Sequence, residues 1–387
     1  MKNKNYLISY ITLCAFLVLK LIRGLSGVES QSGGLWNYIQ LFFCFQGFYF
    51  LFVKGVVFPK SIRIFLKFLF LCWFVSIFHI STFIDSFPLL FKYAIFPYPG
   101  LICVVFFYYG CQNDIEKYSL ILQITYYVLC ALFVLSLRNY RLTELGEFVA
   151  ISDVYYPLAL LPFVMAITTD KWKFFPLIVA FLAVLFSGKR TAFLIVVTVL
   201  LVVYMMRPGF KGKKVLGNVL FVCLLLFLGS SILTAFISQF DLDILSRLEN
   251  IGEDGGSGRD VRWAYLLSRI ESSSILELLV GHGFESVSIA LKGGRAHNDF
   301  IEVFYNYGIV SFVFYVAFYV KLIKESIVMY KLRYRYSAEF LATIICALFL
   351  ALFSFFIIEP TYITSSMFAI SLFLADWYKH KSRYENI

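Results

Sequence analysis

The feature that most constrains this chain is its succession of apolar runs of about 17 to 25 residues, the length that carries a helix across a bilayer core of about 30 Å. Twelve such runs can be marked, at 6–22, 35–53, 62–83, 88–109, 117–137, 148–168, 173–187, 190–206, 215–237, 301–320, 338–358 and 363–378. In lipid a backbone must satisfy its own N–H and C=O groups, so each run is predicted as a helix. The expected fold class is an all-α polytopic membrane protein with 12 transmembrane helices. Residues 1–237 carry nine spans, 238–300 form one large extracytoplasmic loop, and 301–387 carry three spans and a cytoplasmic tail. Composition agrees: 60% of the 387 residues are hydrophobic and only 15% are charged, against roughly 25% charged in soluble domains. The first run follows "MKNKN" without a convincing small-residue cleavage site, so it is read as a retained span rather than a signal peptide.

Basic residues in short loops set orientation. With the N-terminus inside, 20 of the 34 Lys and Arg residues fall on the cytoplasmic side, from Lys2 and Lys4 to the cluster Lys321, Lys324, Lys331, Arg333 and Arg335. The net charge of +10 is therefore largely a topology signal, and no nucleic-acid partner is expected. The eight cysteines lie in or beside apolar runs with no C-x-x-C pair, so they are read as small core residues rather than disulfides or zinc ligands.

The long outer loop begins near "DLD" (241–243), whose paired carboxylates could hold a divalent ion. It faces away from cytoplasmic nucleotide sugars, and loop solvation or helix capping is the simpler reading. "GEDGGSG" (252–258) predicts a turn. The following "RDVRWAYLLSRIESSSILELLVG" has apolar residues at helical spacing, including Val261, Tyr265, Leu266 and Ile270. One or two amphipathic helices are expected there, on the membrane surface or over a cavity.

Eleven basic residues fall on the disfavoured outer side: Arg23, Arg138, Arg141, Lys189, Arg190, Arg247, Arg259, Arg262, Arg269, Lys292 and Arg295. The bias to Arg suits a phosphorylated anion, because the guanidinium fork grips two oxygens and keeps its charge. The alternative is pairing with acids of the same loop, such as Glu249, Asp260, Glu277 and Glu285. That alternative fits "SGKRTAF" (187–193) less well. It is the only polar break between two short apolar arms, which draws Lys189 and Arg190 toward the membrane, where an unpaired charge is costly.

The loop ends in "GGRAHNDF" (293–300). On a helix, Asn298 aligns with Glu302 and His297 with Ile301, one turn apart; Asn298 or Asp299 could instead cap that helix. A neutral His297 near the water–membrane boundary could remove a proton from a hydroxyl, or could simply be a helix-start histidine bonded to the loop. His282, between Gly281 and Gly283, reads as a turn residue, and His79 and His380 carry no functional signal.

Three segments, in order, carry a resemblance to a known family. "SGKRTAFL", "SGRDVRW" and "GHGFES…RAHNDFIEVFYNYGIVSF" resemble the Arg turn, the loop Arg segment and the Gly-x-Gly, His-Asn, Gly-Ile pattern of the O-antigen ligase/polymerase superfamily. This superfamily includes the Wzy-type polysaccharide polymerases. The similarity covers about 180–320; the first 170 residues match only as generic spans. The resemblance implies a metal-independent, inverting glycosyltransferase of the GT-C type in the bacterial inner membrane, without cofactor, its site facing the periplasm. Donor and acceptor would be glycans on undecaprenyl pyrophosphate, with a chain-length regulator and a flippase as partners beside the membrane lipids. By position, His297 would be the general base, and Arg190 and Arg259 would hold the leaving pyrophosphate. Lys189, Arg262, Arg295, Asn298 and Glu302 would bind or position substrate. Polymerisation of repeat units is the favoured reading. A ligase transferring the glycan to lipid A-core shares its motifs, and a lipid-linked oligosaccharide flippase is the rival from another class. Transporters commonly show related halves, and none is visible here.

Overall fold

The computed structural model describes residues 2–26, 35–82, 87–117, 119–143, 152–187, 189–206, 255–354, 356–357 and 360–385. Predicted span nine (215–237) and "DLD" lie outside the described residues. Helices α1 (Lys2–Ser26), α2 (Leu35–Phe48), α3 (Lys60–Ser76), α4 (Phe87–Ala94) and α5 (Tyr98–Gln112) come first. They are followed by α6 (Ser119–Thr143), α7 (Tyr155–Ile167), α8 (Phe175–Ser187) and α9 (Arg190–Met205). After the undescribed stretch come α10 (Gly255–Glu271), α11 (Ile275–Val280), α12 (Ser286–Ala290), α13 (Asp299–Lys331), α14 (Ser337–Phe353) and α15 (Pro360–Glu385). No strand occurs among the described residues. Among the described residues, four helical stretches, Lys4–Ile22, Lys60–His79, Leu89–Gln112 and Asp299–Lys331, are long and apolar enough to cross a membrane, and six shorter apolar helices accompany them.

Local sequence explains where helices depart from the predicted runs. The run 88–109 is broken at "IFPYP": α4 stops at Ala94, a turn occupies 95–97, and α5 restarts with Pro99 in its first turn, where a missing N–H costs nothing. The late span 301–320 is instead the first part of a 33-residue helix that carries Lys321, Lys324 and Lys331 on its far end. Two helices, α10 and α11, occupy the segment 259–281 where one or two were expected; a third, α12, follows it, and α10 starts inside the glycine stretch read as a turn.

The core centres on α5 and α15. Every residue from Tyr98 to Phe107 is buried, and so is α15 from Thr361 to Trp377. Their close approach rests on a small residue: a Cβ on Gly110 would lie 2.6 Å from the Cβ of Ala375. Small residues at such crossings let backbones meet where no water drives association. Aromatic pairs fill the wider gaps. Phe65 stacks on Phe318 at 4.5 Å and Phe68 meets Tyr315 at 5.0 Å, so α3 and α13 run side by side. At the end of that pair, Ser61 Oγ donates to buried Glu325 Oε2 at 3.0 Å. Nearby ends are tied by ion pairs between Lys173 and Glu339, Arg335 and Glu116, and Lys379 and Asp114. Six of the described cysteines are buried as free thiols and Cys111 is exposed.

A second, small core is shared by α10, α12, α13 and the loop before α13. Leu266, Val287, Ala296 and Tyr305 are buried together, with Trp263, Ile270 and Ile301 packed around them. Predicted apolar positions of α10 thus divide: Leu266 enters this core, whereas Val261 and Tyr265 are exposed.

Candidate functional site

The site begins with a helix cap. Asn298 Oδ1 accepts from the N–H groups of Phe300 (3.0 Å) and Ile301 (3.2 Å), so α13 starts at Asp299. His297 is consequently off the helix, with φ +54°, and not one turn above Ile301. A left-handed conformation costs a non-glycine residue roughly 1–2 kcal/mol, so neighbouring bonds must hold it. They do so on both flanks. Ala296 N–H donates to Glu302 Oε1 at 2.8 Å. Trp263 Nε1 donates to Ala296 O at 2.6 Å, and Arg262 Nη1 donates to Arg295 O at 3.2 Å. Two α10 side chains and one from α13 therefore clamp the residues just before the imidazole.

Arg295 is engaged within the protein. Its Nη2 lies 2.6 Å from Glu285 Oε2, and its Nη1 lies 4.0 Å from Glu302 Oε2. Lys92 of α4 adds a partner for Glu285 at 3.8 Å. Glu285 is buried and left-handed (φ +60°), preceding α12. Of the arginines expected on the outer side, Arg295 thus follows the reading of pairing within the loop. Asp299 is fully buried, and its Oδ2 accepts from Tyr315 Oη at 2.9 Å and from Ile357 N–H at 2.8 Å. That carboxylate ties the start of α13 to its own interior and to the connection before α15.

His297 lies within the electrostatic reach of cations from several elements. Burial and then the positive charges of Arg259, Arg262, Lys189 and Arg295 push its pKa down to about 4. Four cations from three places in the chain therefore act on one ring: the turn between α8 and α9, helix α10, and the loop before α13. Tyr155 of α7 belongs to the same neighbourhood, since it lies beside Thr191 and within the electrostatic reach of Arg259. Tyr362 lies 5.5 Å from Tyr155 and 5.3 Å from Tyr156, giving this end of the bundle an aromatic floor. The backbone of Arg190 opens α9 beside Lys189; its side chain lies outside those described. At pH 7 the arrangement presents a neutral imidazole among fixed cations, a setting that favours an anionic ligand beside a proton acceptor. Among the described residues, no three His, Cys, Asp or Glu side chains gather as metal ligands.

The Gly-x-Gly segment has a mechanical explanation. Gly308 breaks α13 with φ +71°, and a Cβ there would lie 2.3 Å from Leu279 O. The break frees carbonyls one turn earlier: His282 N–H donates to Tyr305 O (2.9 Å) and Gly283 N–H to Asn306 O (2.8 Å). Asn306 Oδ1 also accepts from Val287 N–H at 2.9 Å. Only glycine lets the segment come this close, for a Cβ on Gly281 would lie 2.3 Å from Asn306 O. His282 is more than a turn residue. It stacks on Tyr305 at 4.3 Å and its Nε2 lies 3.0 Å from Ser273 Oγ.

Sequence reasoning named Glu285 only as one of several acids that could pair with the loop arginines, and it missed Asp299 as a buried anchor and the pair Tyr155 and Thr191. Nothing in "GHGFES" singles out Glu285 as the partner of Arg295, Asp299 reads as a cap candidate rather than a buried group, and Tyr155 and Thr191 join the site only through packing of helices far from it in the chain. No family model matches the chain, and no curated protein is significantly similar to it.

Proposed function

We propose that this protein polymerises undecaprenyl-pyrophosphate-linked oligosaccharide repeat units into a surface polysaccharide, on the outer face of a bacterial inner membrane. The twelve-span, GT-C-like architecture and the periplasmic orientation belong to the same proposal. The observation that carries it is the meeting of Lys189, Arg259, Arg262 and Arg295 on the neutral ring of His297.

The chemistry follows from that arrangement. The acceptor hydroxyl gives its proton to His297, and its oxygen attacks the anomeric carbon of the donor from the face opposite the diphosphate. The bond from that carbon to the diphosphate oxygen breaks, and the lipid diphosphate leaves with the electron pair. Arg259, Arg190 and Lys189 stabilise the charge that develops on it. Arg262 and Arg295 hold the loop backbone, with Asn298 and Glu302 fixing the helix start and Ala296. An imidazole with a pKa of about 4 is a weak base. A bound diphosphate offsets the cations' share of that depression, so the ring gains basicity as the donor arrives, while the share due to burial remains.

Purified protein supplied with lipid-linked repeat units and no nucleotide tests this reading. Chains longer than one unit are expected from the parent protein and none from Arg259→Ala. Unchanged elongation by a folded Arg259→Ala protein would refute the role of the cation cluster. The ligase reading makes a different prediction: transfer occurs only when lipid A-core is supplied.

A further inference from the structure

The short helix α11 has an apolar face that no described residue covers. Ile275, Leu276 and Leu279 are 79%, 69% and 44% exposed, although each is a large aliphatic side chain. Their spacing puts them within a quarter or so of the helix circumference, and Glu277 points away from them. In water such a face on a six-residue helix is unfavourable.

Its depth suggests what covers it. Ser61 bonds Glu325, so Lys60 and Lys324 mark the same end of the α3–α13 pair. A span of about 20 residues counted back along α13 from Lys324 places the far hydrocarbon edge near Phe304 and Tyr305. Helix α11 crosses α13 at Gly308, where the two backbones touch. That is about 5 Å inside the edge at 1.5 Å per residue. Interfacial helices bury their apolar faces to about 5–10 Å. The face is also continuous with side chains of the bundle's outer surface. Gly283, just beyond α11, packs on His79, and the adjoining Phe74 and Phe78 are 59% and 69% exposed. On α13, Val310 and Val313 just beyond the break are 43% and 57% exposed. The opposite side of α11 is polar. Ser274 and Glu277 form a reciprocal cap at its start, and Ser273 meets His282 at 3.0 Å. Those groups suit the headgroup layer.

We infer that α11 is an interfacial anchor, lying along the boundary of the bilayer leaflet with Ile275, Leu276 and Leu279 in contact with lipid acyl chains. The inference depends on the membrane-spanning helices and not on the glycan chemistry, so it stands or falls separately from the proposed reaction.

The test uses the full chain carrying Ile275→Trp or Leu276→Trp, reconstituted in phosphatidylcholine vesicles with or without brominated acyl chains. The five native tryptophans are subtracted using the parent protein. The added tryptophan is expected to emit at short wavelength, to lose more than half its intensity in brominated lipid, and to resist quenching by aqueous acrylamide. Acrylamide quenching without an effect of bromine would overturn the inference. Burial insensitive to both quenchers, together with crosslinking of copies through α11, would overturn it in favour of a protein partner. Two positions are used because a variant that fails to elute as the parent does is discarded and the other is read.

Discussion

His297 occupies a conformation that few side chains tolerate, and that supplies its own control substitution. Asparagine adopts left-handed backbone readily, so His297→Asn should preserve the loop while removing the proton acceptor. Elongation is expected to fall by roughly 10²- to 10⁴-fold, the usual contribution of a positioned general base, with unchanged melting behaviour; a variant elongating at the parental rate would exclude His297 as the base. The pH profile is a second check. Burial and the cations oppose protonation of the ring, which holds its pKa at about 4. Activity needs the neutral ring, so it is lost as pH falls through the pKa of the relevant state. The limb of kcat/KM reports the free protein and that of kcat the complex. A bound diphosphate raises the ring's pKa, so the kcat limb should lie at the higher pH; coincident limbs would contradict the neutralisation argument. At this scale the sequence was partly legible. The Asn298 cap follows from residue type and position. The commitment of Arg295 to Glu285 did not, because it depends on a left-handed residue and a turn with no compositional mark.

At the scale of elements, the deciding feature is the break in α13. Gly308 lies in a backbone region that only glycine uses freely, and the Leu279 carbonyl closes the space a side chain would need. Gly308→Ala should therefore destabilise the protein by about 3 kcal/mol or more, combining strain and displacement. Gly293→Ala is the comparison: φ is +93° there, but nothing lies within 4 Å of an added Cβ. It should cost only the backbone contribution, about 1–2 kcal/mol. Melting temperatures of the two purified variants check the contrast, and equal losses would mean that the Leu279 contact contributes nothing. A run of apolar residues predicted α13 correctly as a helix but gave no warning of the break. Hydropathy averages over a window, whereas a helix is broken by a single residue whose neighbour arrives from another segment. The same blindness affected 88–109, where "FPYP" contained the signal and the window concealed it.

For the molecule as a whole, the two ends of the bundle are built differently. One end is bound by ion pairs of unequal burial. Glu339 is almost fully enclosed against Lys173, while Glu116 and Arg335 are more than half exposed. Glu339→Ala should cost about 3–5 kcal/mol by stranding a buried ammonium, and Glu116→Ala about 0–1 kcal/mol. Thermal unfolding of both in detergent tests this, with the smaller loss shrinking further at high salt. Orientation is a separate prediction. Cysteines placed at Asp114 and at Glu271 should react with impermeant reagents from opposite sides of the membrane, with Asp114 cytoplasmic. Labelling of Glu271→Cys from the cytosol would remove the proposed substrate from reach. Periodicity and loop charge were enough to anticipate the helical architecture. The pairing of α7 with α15, and hence the position of the aromatic floor, required knowledge of contacts between residues more than 200 positions apart.

The carbonyls exposed at Gly308 also set an order in time. His282, Gly283 and Val287 leave the ribosome before Tyr305 and Asn306, the groups their N–H donors need. Until the later helix has been synthesised, inserted and broken, the earlier segment lacks its template. The loop that holds the imidazole is thus among the last parts of the protein to mature.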